Sequence, residues 1–294
     1  MKTNIKIVLL VLLVSFKTNA QVRSSIYSNL LNPFIYNPAL AGSNDNIYAI
    51  FNTRGITGGV DGSNRSYNFG IHAPLNNNTM GIGAKVLSSS VGVFQATNAE
   101  AAYSKFVKMD EKSILKLGIS MGITQTRLKN ELLNTQTDLS DPALSSKDLN
   151  RFLFSSGIGL HYAYNKKAEL GLSFPALMTG DKPLNNMMVV NASWCFNSSE
   201  NNLKIKPMIN YYKLNNSPNM ADVLLQLNWK DQISAMGGYR SNGSAIASLG
   251  LNFKTFAINY AYYYQMSGIM ALAPAQNEIA IAFSFNKPVP AKTN

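Results

Sequence analysis

The stretch Glu278-Ile279-Ala280-Ile281-Ala282-Phe283-Ser284-Phe285 decides how the rest of the chain is read. Ile279, Ile281, Phe283 and Phe285 alternate with Glu278, Ala280, Ala282 and Ser284, so one face is apolar and the other is small or polar. A period of two belongs to a strand, because successive side chains leave on opposite faces, whereas an amphipathic helix repeats about every 3.6 residues. The pattern recurs upstream. Phe256, Ile258, Tyr260, Tyr262 and Tyr264 oppose Ala257, Asn259 and Ala261; Ala245, Ala247, Leu249, Leu251 and Phe253 oppose Ser244, Ser248, Gly250 and Asn252. An open sheet of this size would expose two edges, and only a closed one can sit in lipid with every backbone group paired. The chain therefore reads as all-β, a transmembrane antiparallel β-barrel of about 14 strands.

Working outward, strands are expected near 47–55, 66–74, 80–89, 95–108, 113–127, 152–164, 167–174, 187–196, 203–214, 220–229, 233–240, 244–253, 256–264 and 278–285. The connections alternate in length. Those around 76–78, 110–111, 165–166, 197–202, 230–231 and 254–255 are short, while 56–65, 128–151, 176–186 and 265–277 are long. Short periplasmic turns and long outer loops sort in this way when both ends of an outer-membrane barrel lie inside. In Ser113–Arg127, Leu115, Leu117, Ile119, Met121 and Ile123 are expected to face lipid, with Lys116, Gly118, Ser120, Gly122 and Thr124 inward. The lysine sets the side, since a charge on the lipid face costs about 2–4 kcal/mol at midplane. Phe154, Ile158, Leu160, Tyr162 and Tyr164 oppose Ser155, Gly157, Gly159, His161 and Ala163 in the same manner, and Tyr48, Tyr164, Tyr239 and Tyr264 are read as interfacial girdle residues.

Composition agrees with a barrel. Only 14% of residues are charged, about half the usual globular share, and Gly, Asn, Ser and Tyr fill the gap. Residues 1–20 read as a signal peptide: Lys2 and Lys6 precede the apolar run 7–14, and Thr18-Asn19-Ala20 offers a small residue at the cut. No later stretch approaches the length of an apolar transmembrane helix. The remaining units are an ordered lead-in over 21–46, docked in or below the lumen, a barrel over 47–285, and a tail over 286–294. The formal charge of +11 falls to +8 once Lys2, Lys6 and Lys17 leave with the signal. The lysines and arginines are scattered, not clustered with stacking aromatics, so the expected partner is outer-membrane lipid and not nucleic acid.

Residues that carry chemistry are sparse. His72 and His161 lie far apart in sequence, and His161 falls on a polar strand face where a lumen hydrogen bond is the plain role. Cys195 is the single cysteine, so no zinc cluster and no internal disulfide is expected. Gly81-x-Gly83 and Gly157-x-Gly159 precede no helix and read as glycines facing a crowded lumen. Asp138, Asp141 and Asp148 match no calcium loop. Neither a catalytic dyad, a metal nor a cofactor is expected; the chain reads as a binder and not an enzyme. The candidate binding surface is the long outer loop with Leu132, Leu133, Leu139, Asp141 and Leu144, joined by Pro274 in the last loop.

Asn32-Pro33-Phe34-Ile35-Tyr36-Asn37-Pro38-Ala39-Leu40-Ala41-Gly42-Ser43, followed by a first strand ending near Arg54, resembles the start of the PorP/SprF family of the Bacteroidetes type IX secretion and gliding-motility apparatus. The likeness continues through Ser66–Leu75, Gly81-Ile82-Gly83, Val91-Gly92, Thr137–Pro142, Gly157–Leu160 and Leu170–Pro175 to the final strand; Gly55–Asn64 departs from it, being rich in Gly and lacking Trp. The family motif residues are Asn32, Pro33, Phe34, Asn37, Pro38, Ala39, Gly42 and Arg54. The resemblance implies an outer-membrane component that supports export or surface anchoring of a cargo protein bearing a C-terminal sorting domain, with periplasmic ring components as further partners. The competing expectation is a transport barrel, porin-like or for hydrophobic solutes.

Overall fold

The computed structural model describes residues 30–56, 63–129, 150–179, 182–183, 187–198, 202–214, 218–266 and 275–285. The expected signal peptide over 1–20, residues 21–29, most of the long loop including Leu132, Leu133, Leu139, Asp141 and Leu144, Pro274, and the expected tail over 286–294 lie outside them. The strands are β1 (Ile47–Ile56), β2 (Arg65–Leu75), β3 (Met80–Val91), β4 (Phe94–Lys108), β5 (Ser113–Leu128), β6 (Phe152–Tyr164), β7 (Ala168–Thr179), β8 (Lys182–Pro183), β9 (Met187–Trp194), β10 (Phe196–Ser198), β11 (Leu203–Leu214), β12 (Met220–Trp229), β13 (Ile233–Arg240), β14 (Ser244–Asn252), β15 (Phe256–Gln265) and β16 (Ala275–Phe285). Neighbours pair antiparallel, and β16 returns to β1 with Ile47 opposite Phe285 and Arg54 opposite Glu278. The result is a closed barrel of 14 strands, with β8 folding back on the end of β7 and β10 continuing β9.

One expected strand, 187–196, is divided. In the register that sets Met208 opposite Ser193 and Phe196 opposite Ile205, Trp194 faces Pro207. Proline has no N–H, so the ladder loses a bond there and Cys195 drops out of the strand. Its own N–H is held from the other side by Lys167 O at 2.7 Å.

Two of the short turns are built on a pair of left-handed residues. Asn165 and Lys166 have φ of 52° and 54°, and Lys230 and Asp231 have 52° and 56°. Two successive positive φ values give the primed turn whose twist matches antiparallel strands. The turns close through Lys167 N–H to Tyr164 O at 2.9 Å and Gln232 N–H to Trp229 O at 3.0 Å. Both ends of the barrel strands, Ile47 and Phe285, lie at this end too, which the loop-length rule makes periplasmic.

The two faces divide as the alternation requires. Leu117, Ile119, Met121 and Ile123 are exposed on β5 while Gly118 and Ser120 are buried, and on β16 Ile279 and Phe283 are exposed while Glu278, Ala280 and Ala282 are buried. Exposed large apolar side chains surround the wall, which is what hydrocarbon contact demands. Tyr164, Tyr239 and Tyr264 are exposed near strand ends. Tyr48 departs from the expected girdle. It shares the inward phase of Ile50, Asn52 and Arg54 and lies 5.5 Å from the His72 ring, because β1 turns an apolar side chain inward to meet other apolar groups there.

Candidate functional site

The lumen is the place where the chain concentrates its buried polar groups, and residues 30–43 fill it. Two Asn-Pro steps set this segment's shape. Each proline opens a single 3-10 turn, Pro33–Ile35 and Pro38–Leu40, because its missing N–H is no loss in a first turn and its φ is already fixed. Asn37 caps the second turn: its Oδ1 accepts from Ala39 N–H at 3.0 Å, while its Nδ2 donates to Leu160 O of β6 at 3.1 Å. Gly42, at φ 67°, ends the segment in the left-handed region.

The wall receives this plug closely. A Cβ at Gly118 would overlap the Pro38–Ala39 backbone, and one at Gly81 would overlap the Ala41 carbonyl. Glycine there lets two backbones meet. Phe34 packs edge-on against His72 at 4.9 Å. Ile35 and Tyr36 cluster with Met187, Val189, Tyr212 and Met220; Phe34 and Ala41 sit with Ala102. Leu30 and Leu31 lie against the cluster of Leu224, Met236, Ile246, Ala261 and Tyr263, and Leu31 also meets Ile50. The plug thus touches both halves of the wall. Burying Phe34, Ile35 and Tyr36 contributes about 1.5–3 kcal/mol each.

Polar contacts fix its height in the barrel. Gly42 N–H donates to His72 Nδ1 at 3.2 Å, Ser104 Oγ to Ala41 O at 2.6 Å, Lys116 Nζ to Ser43 Oγ at 2.8 Å, and Lys85 Nζ to Ile35 O at 2.8 Å. Lys85 also pairs with Glu100 at 3.2 Å, both side chains 2% exposed. Ser155 Oγ and Asn98 Nδ2 donate to the same carboxylate at 3.0 and 3.1 Å. The charge is therefore paired and further hydrogen-bonded, which buried ions require.

A second network lies across β1, β16, β15, β13, β12 and β11. Arg240 grips Asp222 through Nε at 2.6 Å and Nη2 at 2.8 Å, and Tyr212 donates to Asp222 at 3.1 Å. Glu278 accepts from Asn52 and from Tyr263, both at 2.8 Å. Arg54 stacks over the Tyr263 ring at 3.8 Å and donates to Gln276 through Nε at 2.9 Å and through Nη2. At the periplasmic end Lys206 pairs with Glu169 at 2.6 Å, and Ser193 donates to that carboxylate at 3.1 Å.

The structure places Asn32, Phe34, Asn37, Pro38 and Ala39 buried within the lumen, Pro33 exposed beside them, and Arg54 in the network on β1. His161 is buried on the lumen face, its Nδ1 without a partner among the described residues. Sequence reading passed over Lys85, Glu100, Asp222 and Arg240. Their signal was present, since each is a charge on the small or polar face of a strand whose other face is apolar, but nothing local says which charge meets which. No three of His, Cys, Asp and Glu converge as metal ligands among the described residues.

Comparison with known proteins agrees with this architecture. The model of a family described as "Type IX secretion system membrane protein PorP/SprF" matches residues 19–283. No curated protein matches. Among solved structures, the toluene transporter TodX of P. putida superposes with a TM-score of 0.52 at 10% identity, over 87% of this chain and 95% of that one. The outer membrane protein Omp33 of Acinetobacter baumannii gives 0.50 at 6% identity, over 82% of this chain and 99% of that one. At such identities the likeness establishes the outer-membrane barrel fold alone.

Proposed function

Given that this chain belongs to the PorP/SprF family of type IX secretion system membrane proteins, we propose that it serves as a non-enzymatic scaffold in the outer membrane. In this reading the barrel supports export or surface anchoring of a cargo protein bearing a C-terminal sorting domain. The outer loops, with Leu132, Leu133, Leu139, Asp141, Leu144 and Pro274, meet the cargo, and the periplasmic end meets ring components of the machine. The single observation that carries the reading is the filled lumen. Residues 30–43 are hydrogen-bonded to five different strands through His72, Lys85, Ser104, Lys116 and Leu160. A wall so occupied suits a rigid platform better than a conduit, and a barrel of this strand number is too narrow for a folded domain in any case.

The test is genetic and biochemical together. Deleting the gene should abolish surface display of sorting-domain proteins, and gentle solubilisation of wild-type membranes should co-purify one of them. Unchanged display in the deletion strain defeats the scaffold reading. The competing transport role predicts steady single-channel conductance from the purified full-length protein, which the scaffold role does not.

A further inference from the structure

We propose that the outward face of β2–β5, at the end opposite the short turns, is a headgroup site for a phosphate-bearing glycolipid of the outer leaflet. Three continuous registers set Arg65 opposite Ser90, Ser90 opposite Gln95, and Gln95 opposite Arg127, so these four residues form one row across four adjacent strands, with Ser90 buried among its neighbours. The row two residues nearer the membrane is Tyr67, Ser88, Thr97 and Gln125, and the next is Phe69, Val86, Ala99 and Ile123. Side chains two apart on a strand share a face. The wall therefore passes from apolar, through hydroxyl and amide, to guanidinium within four residues, about 13 Å of strand.

That sequence of chemistries follows the profile of a lipid monolayer. Phe69, Val86 and Ile123 are exposed at the level of acyl chains. Tyr67 stands exposed one step higher, where an aromatic ring with a polar tip favours the interface. Ser88 lies within 3.4 Å of the Thr97 hydroxyl and accepts from Gln95 Nε2 at 3.3 Å, a patch of donors and acceptors suited to sugar hydroxyls. Above it, Arg65 and Arg127 are both exposed, and the strand spacing holds their backbones about 14 Å apart. Neither has a carboxylate partner among the described residues. Lys129 adds a third cation one step higher, its N–H bonded to Val93 O at 2.7 Å.

The opposite end of these strands differs. There Lys105, Lys108 and Lys112 are accompanied by Asp45, Asp110 and Glu111, so the two signs are mixed. Among the described residues of these strands, the unmixed positive row lies on the side where outer-leaflet phosphates would stand. Two guanidiniums with Ser90 and Gln95 between them, above a row that carries the Ser88 and Thr97 hydroxyls, match a glycolipid with a phosphate at each end of its sugar, each arginine offering a bidentate fork.

The experiment uses full-length protein in phosphatidylethanolamine nanodiscs titrated with bisphosphorylated lipid A, read by native mass spectrometry. An arginine near an anionic surface contributes about a fivefold gain in binding, so R65Q/R127Q should weaken retention about thirtyfold if the two add. K105Q/K108Q should leave it unchanged. Folding of each variant is checked by heat-modifiable gel mobility. A second arm needs no variant: wild-type protein should retain the bisphosphorylated form in preference to a fully dephosphorylated one. Equal retention of the two lipids overturns the proposal, as does full retention by R65Q/R127Q or an equal loss in K105Q/K108Q.

Discussion

Replacing Lys85 by methionine removes a side chain that joins the wall's buried carboxylate to the plug. The ammonium lies 3.2 Å from Glu100 and 2.8 Å from the Ile35 carbonyl, with both charged side chains 2% exposed. Losing one partner of a buried pair leaves an uncompensated charge, at a cost of about 3–5 kcal/mol. The freed Ile35 carbonyl adds about 1–3 kcal/mol if nothing replaces its donor. E100Q should cost less than K85M, because Lys85 keeps Ile35 O as an acceptor and the amide oxygen put in place of the Glu100 carboxylate can still accept from Ser155 and Asn98. In K85M/E100Q the charge penalty disappears and only the orphaned carbonyl remains, about 1–3 kcal/mol. The double variant should therefore be more stable than K85M alone, with a coupling of at least about 2 kcal/mol. Reversible urea titration of refolded protein in detergent, followed by tryptophan fluorescence, measures all four corners. Additive losses, or a double variant less stable than K85M, would refute the picture of a dry ion pair anchoring the plug.

Three further outcomes follow from the same geometry. Gly118→Val places side-chain atoms on the Pro38–Ala39 backbone and should dislodge the plug, giving single-channel conductance in planar bilayers, whereas Gly55→Ala, with only Arg65 Cγ nearby at 3.8 Å, should not. Ile119→Arg, in the middle of the exposed apolar face of β5, should cost about 2–4 kcal/mol of stability in lipid vesicles, and a loss below about 1 kcal/mol by the same titration would place that face elsewhere than in hydrocarbon. In the β4–β5 turn, the Asp110 carboxyl is held below its ordinary range by the Lys112 N–H, with the Ser113 hydroxyl and N–H also donating to it. A depressed pKa stabilises the fold above the unfolded value of about 4, and that contribution is lost as pH falls through the folded value. D110N should therefore speed hydrogen exchange at Lys112 and Ser113 near neutral pH and match wild type in strong acid, which pH-resolved exchange by NMR can read.

The alternation in Glu278–Phe285 and its repeats made the barrel, its strand number and its lipid face legible without coordinates. Period-two patterning is local, and the water-to-lipid contrast it answers to is large. The turns were legible for a similar reason, since Asn-Lys and Lys-Asp pairs between alternating runs point to tight reversals. The break at Cys195 was not, because its cause is Pro207 on a neighbouring strand. Nor was the inward turn of Tyr48, which depends on what fills the lumen beside it.

What the chain's order of residues settled alone is which side chains of a strand share a face, because strand geometry sends neighbours to opposite sides whatever they later meet. What only closure decided is who meets whom: Asn52 finds Glu278 at 226 residues' separation, and Lys85 finds both Glu100 and a proline-pinned segment threaded from below. Register around a closed sheet is a property of all its strands at once. A charge on a polar face can therefore be seen in the sequence, while its partner is chosen by the shear and the stagger that bring the last strand back to the first.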